Sequence, residues 1–242
     1  MSYKLHIEAD AVNVAHAVAD LIKEKAIEKR EEGKKLNIAI SGGSTPKQLF
    51  TLLGNEYERE IPWKTVRFFW VDERCVEPTD PESNFGMTYD ALLQRTFVPN
   101  KNIFRMKGED IPENEAERYQ QLLWNEVPAK HGFPVFDIIL LGIGEDGHTA
   151  SIFPNQMTLL DSEFSVAVAV HPVSSQKRIT LTGNTIKNAH RIVFLATGAA
   201  KADILRKIIH KETEAAKYPA AHVYDQEGNV DFYIDKAASS KL

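Results

Sequence analysis

The sequence predicts an α/β fold in which a mostly parallel open sheet is covered by helices on both faces, with a small additional β segment near the C-terminus. Three observations carry this. Short runs rich in Ile, Val, Leu and Phe recur at Leu36–Ile40, Thr65–Val71, Asp137–Gly142 and Arg191–Ala196, as strands buried on both faces of a parallel sheet do. Stretches with apolar residues at helical spacing lie between them. Each run also ends in a polar, charged or Gly-rich turn, at the carboxyl edge where open α/β sheets bind ligands.

The elements follow in order. From about Asp10 to Glu31, Val14, Ala17, Val18, Leu21 and Ile22 line one face of a helix whose other face carries Lys23, Glu24, Glu28, Lys29 and Arg30; it ends near Gly33. The 33 residues before the first strand are thus expected to form one helix. After Leu36–Ile40 comes Ser41-Gly42-Gly43-Ser44-Thr45-Pro46, where Ser44 or Thr45 would cap a helix running from Pro46 to Leu53. Strand, Gly-Gly turn and helix start converge free backbone N–H groups and a positive dipole end on one point, which suits a phosphate. A helix cap on a tight turn is the plain alternative, and a Walker loop is excluded because no Gly-Lys-Ser/Thr follows at the required spacing.

Thr65–Val71 delivers Asp72, Glu73 and Arg74 at its end, either as site residues or as a solvated loop. Ser83 opens a helix through Met87, Leu92 and Leu93. Ile103–Met106 is a weaker strand, Glu113–Trp124 a helix, and Ser165–His171 and Arg178–Thr182 two further strands. Arg178 needs solvent, a carboxylate or an anion for its head. His171, beside Pro172, reads as a structural or exposed histidine. Thr197-Gly198-Ala199-Ala200-Lys201 turns into a helix, and a cation in its first turn opposes the dipole and favours anion capture. Tyr224–Ile234 reads as a hairpin pivoting on Gly228-Asn229.

Composition narrows the function. The chain has 242 residues, 43% hydrophobic and 26% charged, and reads as a single soluble domain over 1–242. A net charge of −5 without a basic run argues against nucleic acid, and no apolar run approaches the roughly 18 residues of a membrane span. The single cysteine, Cys75, has no disulfide partner and fits a reducing compartment, so a cytoplasmic location is expected.

The densest chemistry lies at Gly142-Ile143-Gly144-Glu145-Asp146-Gly147-His148. It matches the dinucleotide pattern G-x-G-x-x-G in form, but Pro154 arrives seven residues after Gly147 and no carboxylate closes the next strand, so the context fails. No His-x-His or HExxH completes a metal set, and no G-x-S-x-G provides a nucleophile elbow. What remains is His148 acting on a water or a substrate proton beside carboxylates, with an anion pocket at Gly42–Pro46.

Five blocks, taken together and in order, resemble the 6-phosphogluconolactonases of the glucosamine-6-phosphate isomerase/6-phosphogluconolactonase superfamily. They are SGGSTP at 41–46, DERCV at 72–76 with SN at 83–84, LGIGEDGHTASIFP at 141–154, RITLT at 178–182 and TGAAK at 197–201. The isomerase branch resembles the chain at Asp146-Gly147-His148 but carries a Glu where this chain has Phe153 and a Tyr where it has Arg74. The missing carboxylate is one that sugar isomerisation needs and lactone hydrolysis does not.

The resemblance implies a Rossmann-like sheet and hydrolysis of a phosphorylated sugar lactone without metal or cofactor; a monomer or small homo-oligomer is expected, the sequence itself leaving the oligomeric state open. It implies His148 as base, Asp146 or Asp72 orienting it or the substrate, and Arg74 binding substrate or the developing oxyanion. Phosphate is expected on Gly42, Gly43, Ser44 and Thr45, clamped by Arg178 and Lys201. The family's Pro-Ala-Ser-Arg segment is here Pro219-Ala220-Ala221-His222, which leaves His222 without a role. The alternatives are a glucosamine-6-phosphate deaminase/isomerase and a sugar-phosphate effector domain, which would need a DNA-binding module that the first 33 residues do not supply.

Overall fold

Seven strands form one sheet, and every neighbouring pair in it runs parallel. In the computed structural model, which describes residues 3–223 and 229–242, these are β1 (Tyr3–Glu8), β2 (Leu36–Ile40), β3 (Val66–Trp70), β5 (Ile103–Phe104), β8 (Ile138–Leu141), β11 (Ile192–Ala196) and β12 (Val230–Asp235). A second, antiparallel sheet joins β4 (Asp72–Arg74), β10 (Lys177–Leu181) and β9 (Val166–Val170). Ala129–Lys130 (β6) and Phe133–Pro134 (β7) make a short ribbon. The helices are α1 (Ala11–Glu31), α2 (Ser44–Glu56), α3 (Asn84–Ala91), α4 (Pro112–Glu126), α5 (Gly183–Lys187) and α6 (Ala202–Ile209).

The main sheet follows the apolar runs because those residues have no other place to be. Every residue of β2, β8, β11 and β12 is buried. Phe194 stacks on Phe232 and Phe69 on Phe104. Tyr119 ties α4 to β3, accepting from the Trp70 amide at 2.9 Å. Asp10 caps α1 by accepting from Val12 and Asn13 at 3.0 and 2.9 Å, and Ser83 caps α3 through the Gly86 amide, as such side chains do at helix starts.

Four expectations are corrected. The chain begins with a strand, not a helix: β1 is an edge strand whose Leu5 and Ile7 remain partly exposed, so it lacks the continuous apolar run by which the interior strands were found. The α2 helix starts at Ser44 with Gly43 as its cap, because Gly43 takes φ +113° and turns the chain early. Asp72–Arg74 is a strand of the second sheet, not a loop, and Val71 hinges the two sheets, donating to Ile40 O and accepting from Leu181 N. At the C-terminus, β12 pairs parallel with both β1 and β11, so it is an interior strand and not the return arm of a hairpin; residues 224–228, with the proposed first arm and pivot, lie outside the described residues.

The strand order, β1-β12-β11-β8-β2-β3-β5, fixes where a site belongs. From β2 the chain moves outward to β3, whereas β8 sits on the other flank of β2. The crevice beyond the carboxyl ends of β2 and β8 is therefore a topological switch point, with Ser41 on one lip and Gly142 on the other.

Candidate active site

A cleft of about 210 Å³ opens at that switch point, and nine of the ten residues expected from sequence line it: Gly42, Gly43, Ser44, Thr45, Asp72, Arg74, His148, Arg178 and Lys201. The tenth, Asp146, is one hydrogen bond away through His148. They arrive from five segments: the start of α2, β4, the turn after β8, β10 and the turn before α6.

After β8 the chain folds back on itself: Gly147 donates to Gly144 O and Gly144 donates to His148 O, both at 2.9 Å. Gly147 is required here, with φ +82° and the Tyr218 ring packed where a Cβ would stand. The tight turn sets the His148 imidazole against Asp146, Nδ1 to Oδ1 at 2.5 Å, and the same oxygen accepts the His148 backbone amide at 3.2 Å. With Nδ1–H committed to a carboxylate, the neutral ring carries its lone pair on Nε2. Partial burial works against an ionised Asp146, yet the His148 hydrogen bond and charge outweigh it and hold the carboxyl below its usual range. The carboxylate that orients His148 is thus Asp146, and Asp72 is engaged elsewhere.

Asp72 is 5% exposed; its Oδ2 accepts from Ser151 Oγ at 2.7 Å and its carbonyl from Asn84 Nδ2 at 2.9 Å. Strand alternation sends its neighbour Glu73 to the opposite side. There the buried Glu73 carboxylate accepts from the amides of Arg74, Asn84 and Phe85 and from Ser83 Oγ, locking β4 to the start of α3. Burial pushes its pKa up, against the pull of those three amides. Sequence reasoning gave Glu73 no role; the signal available was period-2 alternation through Asp-Glu-Arg followed by a Ser-capped helix.

Arg74 and Arg178 face each other as a cross-strand pair of β4 and β10. Like charges placed directly opposite are destabilising. Arg74 donates to Glu82 O, but the Nε atoms of both guanidiniums are buried without a partner. Burial lowers the pKa of Arg178, and the charge of Arg74 lowers it further. Both guanidinium side chains line the cleft and give this wall its positive charge.

The third wall is the start of α2. Its cap, Gly43, offers no side-chain acceptor, so the first-turn amides face the cleft with the positive end of a 13-residue helix behind them. Gly42 must lack a side chain, since a Cβ would stand 1.7 Å from Asn84 Oδ1. Thr45 Oγ1 meets Thr197 Oγ1 at 3.0 Å, joining this wall to the turn that carries Lys201. That turn is held by Asp235, whose two carboxylate oxygens accept the Gly198 amide at 3.0 and 3.1 Å.

Sequence reasoning gave no role to Ser41, Asn84, Ile143, Ala150 and Leu195, which also line the cleft; all but Leu195 lie inside the five blocks, but only as part of the pattern. Ala150 holds φ +50°, a backbone strain of the kind that collects at functional sites. His222 is exposed, bonds to Ala216 O and does not line the cleft. Burial, followed by the charge of Glu73, pushes the Cys75 thiol up to about 11, so it stays protonated at neutral pH. Among the described residues no three His, Cys, Asp or Glu side chains gather as a metal site, and no helix is long and apolar enough to cross a membrane.

The same arrangement of chain has known relatives. A family model described as glucosamine-6-phosphate isomerases/6-phosphogluconolactonase matches residues 9–232. The 6-phosphogluconolactonase of Treponema pallidum is 44% identical over 205 residues, 85% of this chain and 83% of that one. The 6-phosphogluconolactonase of Haemophilus influenzae is 43% identical over 224 residues, 92% and 94% of the two chains. A crystal structure of a devB protein superposes with a TM-score of 0.94 at 40% identity, covering 99% of each chain. The chain belongs to the glucosamine-6-phosphate isomerase/6-phosphogluconolactonase family.

Proposed function

We propose that this protein is a 6-phosphogluconolactonase, which hydrolyses 6-phospho-D-glucono-1,5-lactone to 6-phosphogluconate. The observation that carries the reading is an imidazole tied to a carboxylate through Nδ1 in the same small cleft as two under-used guanidiniums and an open helix start. The relatives named above support it.

In this reading Nε2 of His148 takes a proton from water as the water oxygen attacks the lactone carbonyl carbon. The C=O electron pair moves onto oxygen, giving a tetrahedral oxyanion. When that pair returns, the bond from carbon to the ring oxygen breaks, and the imidazolium gives its proton to the leaving ring oxygen. One water is consumed, the ring opens to a hydroxyl, and the acid formed ionises in solvent. Asp146 holds the ring and offsets its transient charge. The α2 amides, Arg178 and Lys201 hold phosphate, and Arg74, the cation on β4 beside Asp72, serves the oxyanion. Asp72, fixed by Ser151, receives substrate hydroxyls.

The isomerase alternative fits less well. Phe153, at the position where the isomerase branch has its acidic residue, is 1% exposed and packs against His148 with ring centroids 5.0 Å apart, so that place holds an apolar wall instead of a proton-transfer group. The single cysteine, Cys75, with no second cysteine to pair with, suits a reducing compartment. The test is a coupled assay on freshly generated lactone, corrected for spontaneous opening, with fructose-6-phosphate plus ammonia as the rival substrate. Wild-type protein should turn over only the lactone, and His148→Ala should lose about 10²–10⁴ in kcat. Wild-type turnover by that variant refutes the mechanism.

A further inference from the structure

We propose that His171 is a positioning residue for this reaction: its imidazole braces the His148 ring through Phe153, from outside the cleft. The inference rests on the assignment of His148 as the base. Phe153 contacts both imidazoles, His148 at 5.0 Å between centroids and 46° between planes, and His171 at 5.2 Å and 83°. Phe153 thus links the base to the tip of the β9–β10 hairpin, and it is almost fully buried. A buried ring in contact with two further rings has few ways to move.

The turn that carries His171 is itself closed by hydrogen bonds. Its N–H donates to Gln176 O at 2.9 Å and its C=O accepts from Ser175 N at 3.0 Å. Nδ1 accepts the amides of Ser174 at 3.1 Å and Val173 at 3.3 Å. A nitrogen facing two fixed N–H donors keeps its lone pair, so the ring proton sits on Nε2 and protonation of Nδ1 is opposed by geometry. Burial lowers the pKa of His171 in the same direction, as do the charges of Arg178, His148 and Arg74, with Asp146 opposing them. His171 is therefore uncharged at neutral pH. Neutrality is what this position requires, because Arg74, Arg178 and Lys201 already line the cleft and another cation near His148 would weaken it as a base. A neutral ring supports Phe153 without adding charge.

Two substitutions separate the ring from the turn. His171→Asn removes the ring but keeps a side-chain oxygen able to accept the two amides; His171→Phe keeps an aromatic ring and loses the acceptor. The expected result for His171→Asn is a fall in kcat of about tenfold with KM within about twofold, smaller than the roughly hundredfold loss of a full 1 Å misplacement. His171→Phe should keep kcat within about twofold of wild type. The inference is overturned if His171→Asn has wild-type kcat, if its loss lies wholly in KM, or if His171→Phe loses as much as His171→Asn, which would assign the effect to the turn alone. His148→Ala in the same assay keeps the two readings apart. Retained turnover there removes the base and this inference together, whereas a dead His148→Ala beside a wild-type His171→Asn removes only the inference.

Discussion

Gly144→Ala isolates the geometry of the His148–Asp146 pair from everything else in the cleft. A Cβ on Gly144 would stand 2.1 Å from His148 Nδ1 and 2.4 Å from both Asp146 Oδ1 and His148 Cε1. Ordinary non-bonded separation is about 3.5 Å, so the pair must recede by roughly 1.4 Å or the turn must open. Gly144 is not among the residues with positive φ, which makes alanine acceptable to the backbone and puts the cost on the pair. A misplacement of about 1 Å costs on the order of 10²-fold in rate, so kcat should fall by about that factor. Overpacking costs about 1–3 kcal/mol, a Tm drop of roughly 2–12 °C for a chain of this size. The assay is kcat on fresh lactone together with a thermal melt, repeated in a His148→Ala background. There the added methyl should cost little more in kcat, because the base it displaces is gone, while the clash with Asp146 Oδ1 still lowers Tm. A folded Gly144→Ala with kcat within about threefold of wild type would refute the claim that this pair sets the rate.

Three further outcomes follow from the same structure. Asp146→Asn should cut kcat by about 10²–10⁴ while leaving KM nearly unchanged, since the imidazole loses the partner that fixes its tautomer; an unchanged kcat, measured at saturating lactone, would free Asp146 from the mechanism. Arg178→Met should raise KM about 10- to 100-fold, the worth of a charge-assisted hydrogen bond, and at the same time raise Tm, because it removes a buried cation from opposite Arg74. A lowered Tm with unchanged KM would show the arginine to be structural. Asp231, 5% exposed and bonded to Arg191 at 2.7 Å and His6 at 2.8 Å, titrates below its usual range because those bonds outweigh the cost of burial. A depressed carboxyl adds stability above its unfolded value, near 3.9, and loses it as pH falls through the folded value. Asp231→Asn should therefore cost about 3 kcal/mol at pH 7, a deficit seen in urea melts that closes only below about pH 4. A deficit that stays constant to pH 2 would contradict the sign.

What was legible in the sequence is what the parallel sheet dictates. The strands β2, β3, β8 and β11 are buried on both faces, so their sequences are apolar almost throughout, and the residues just past their carboxyl ends have to be turns at one edge. Reading those turns together brings Gly42–Thr45, His148 and Lys201 into one place without coordinates. The edge strand β1 could not be read that way, because a strand with one unpaired side keeps polar residues such as Lys4 and exposes Ile7. The choice between Asp146 and Asp72 was likewise out of reach. Both lie near His148 in chemistry, and only the close turn made possible by Gly144 and Gly147 shows that Asp146 bends back to Nδ1 while Ser151 claims Asp72. His171 looked like a structural histidine because its effect runs through a phenylalanine, and no spacing rule reports a contact of that kind.

The second sheet explains how an acidic protein holds an anionic substrate. The chain carries a net charge of −5, yet at the cleft Asp146 is paired with His148, and Arg74, Arg178 and Lys201 outnumber the lining carboxylate, Asp72. Pairing β4 against β10 sets Arg74 and Arg178 opposite each other in register, a like-charge pairing that Asp72, Glu82 and Glu73 offset in part. On the proposed function, a phosphate bound at this wall offsets that repulsion. The same field persists when negative charge develops on the carbonyl oxygen, a few bonds from the phosphate, so part of it acts only as the transition state forms. On the proposed function, the like charges of Arg74 and Arg178 are set to act on a bound dianion and on the developing oxyanion, and the buried grip of Glu73 on the Arg74, Asn84 and Phe85 amides fixes the strand that carries Arg74.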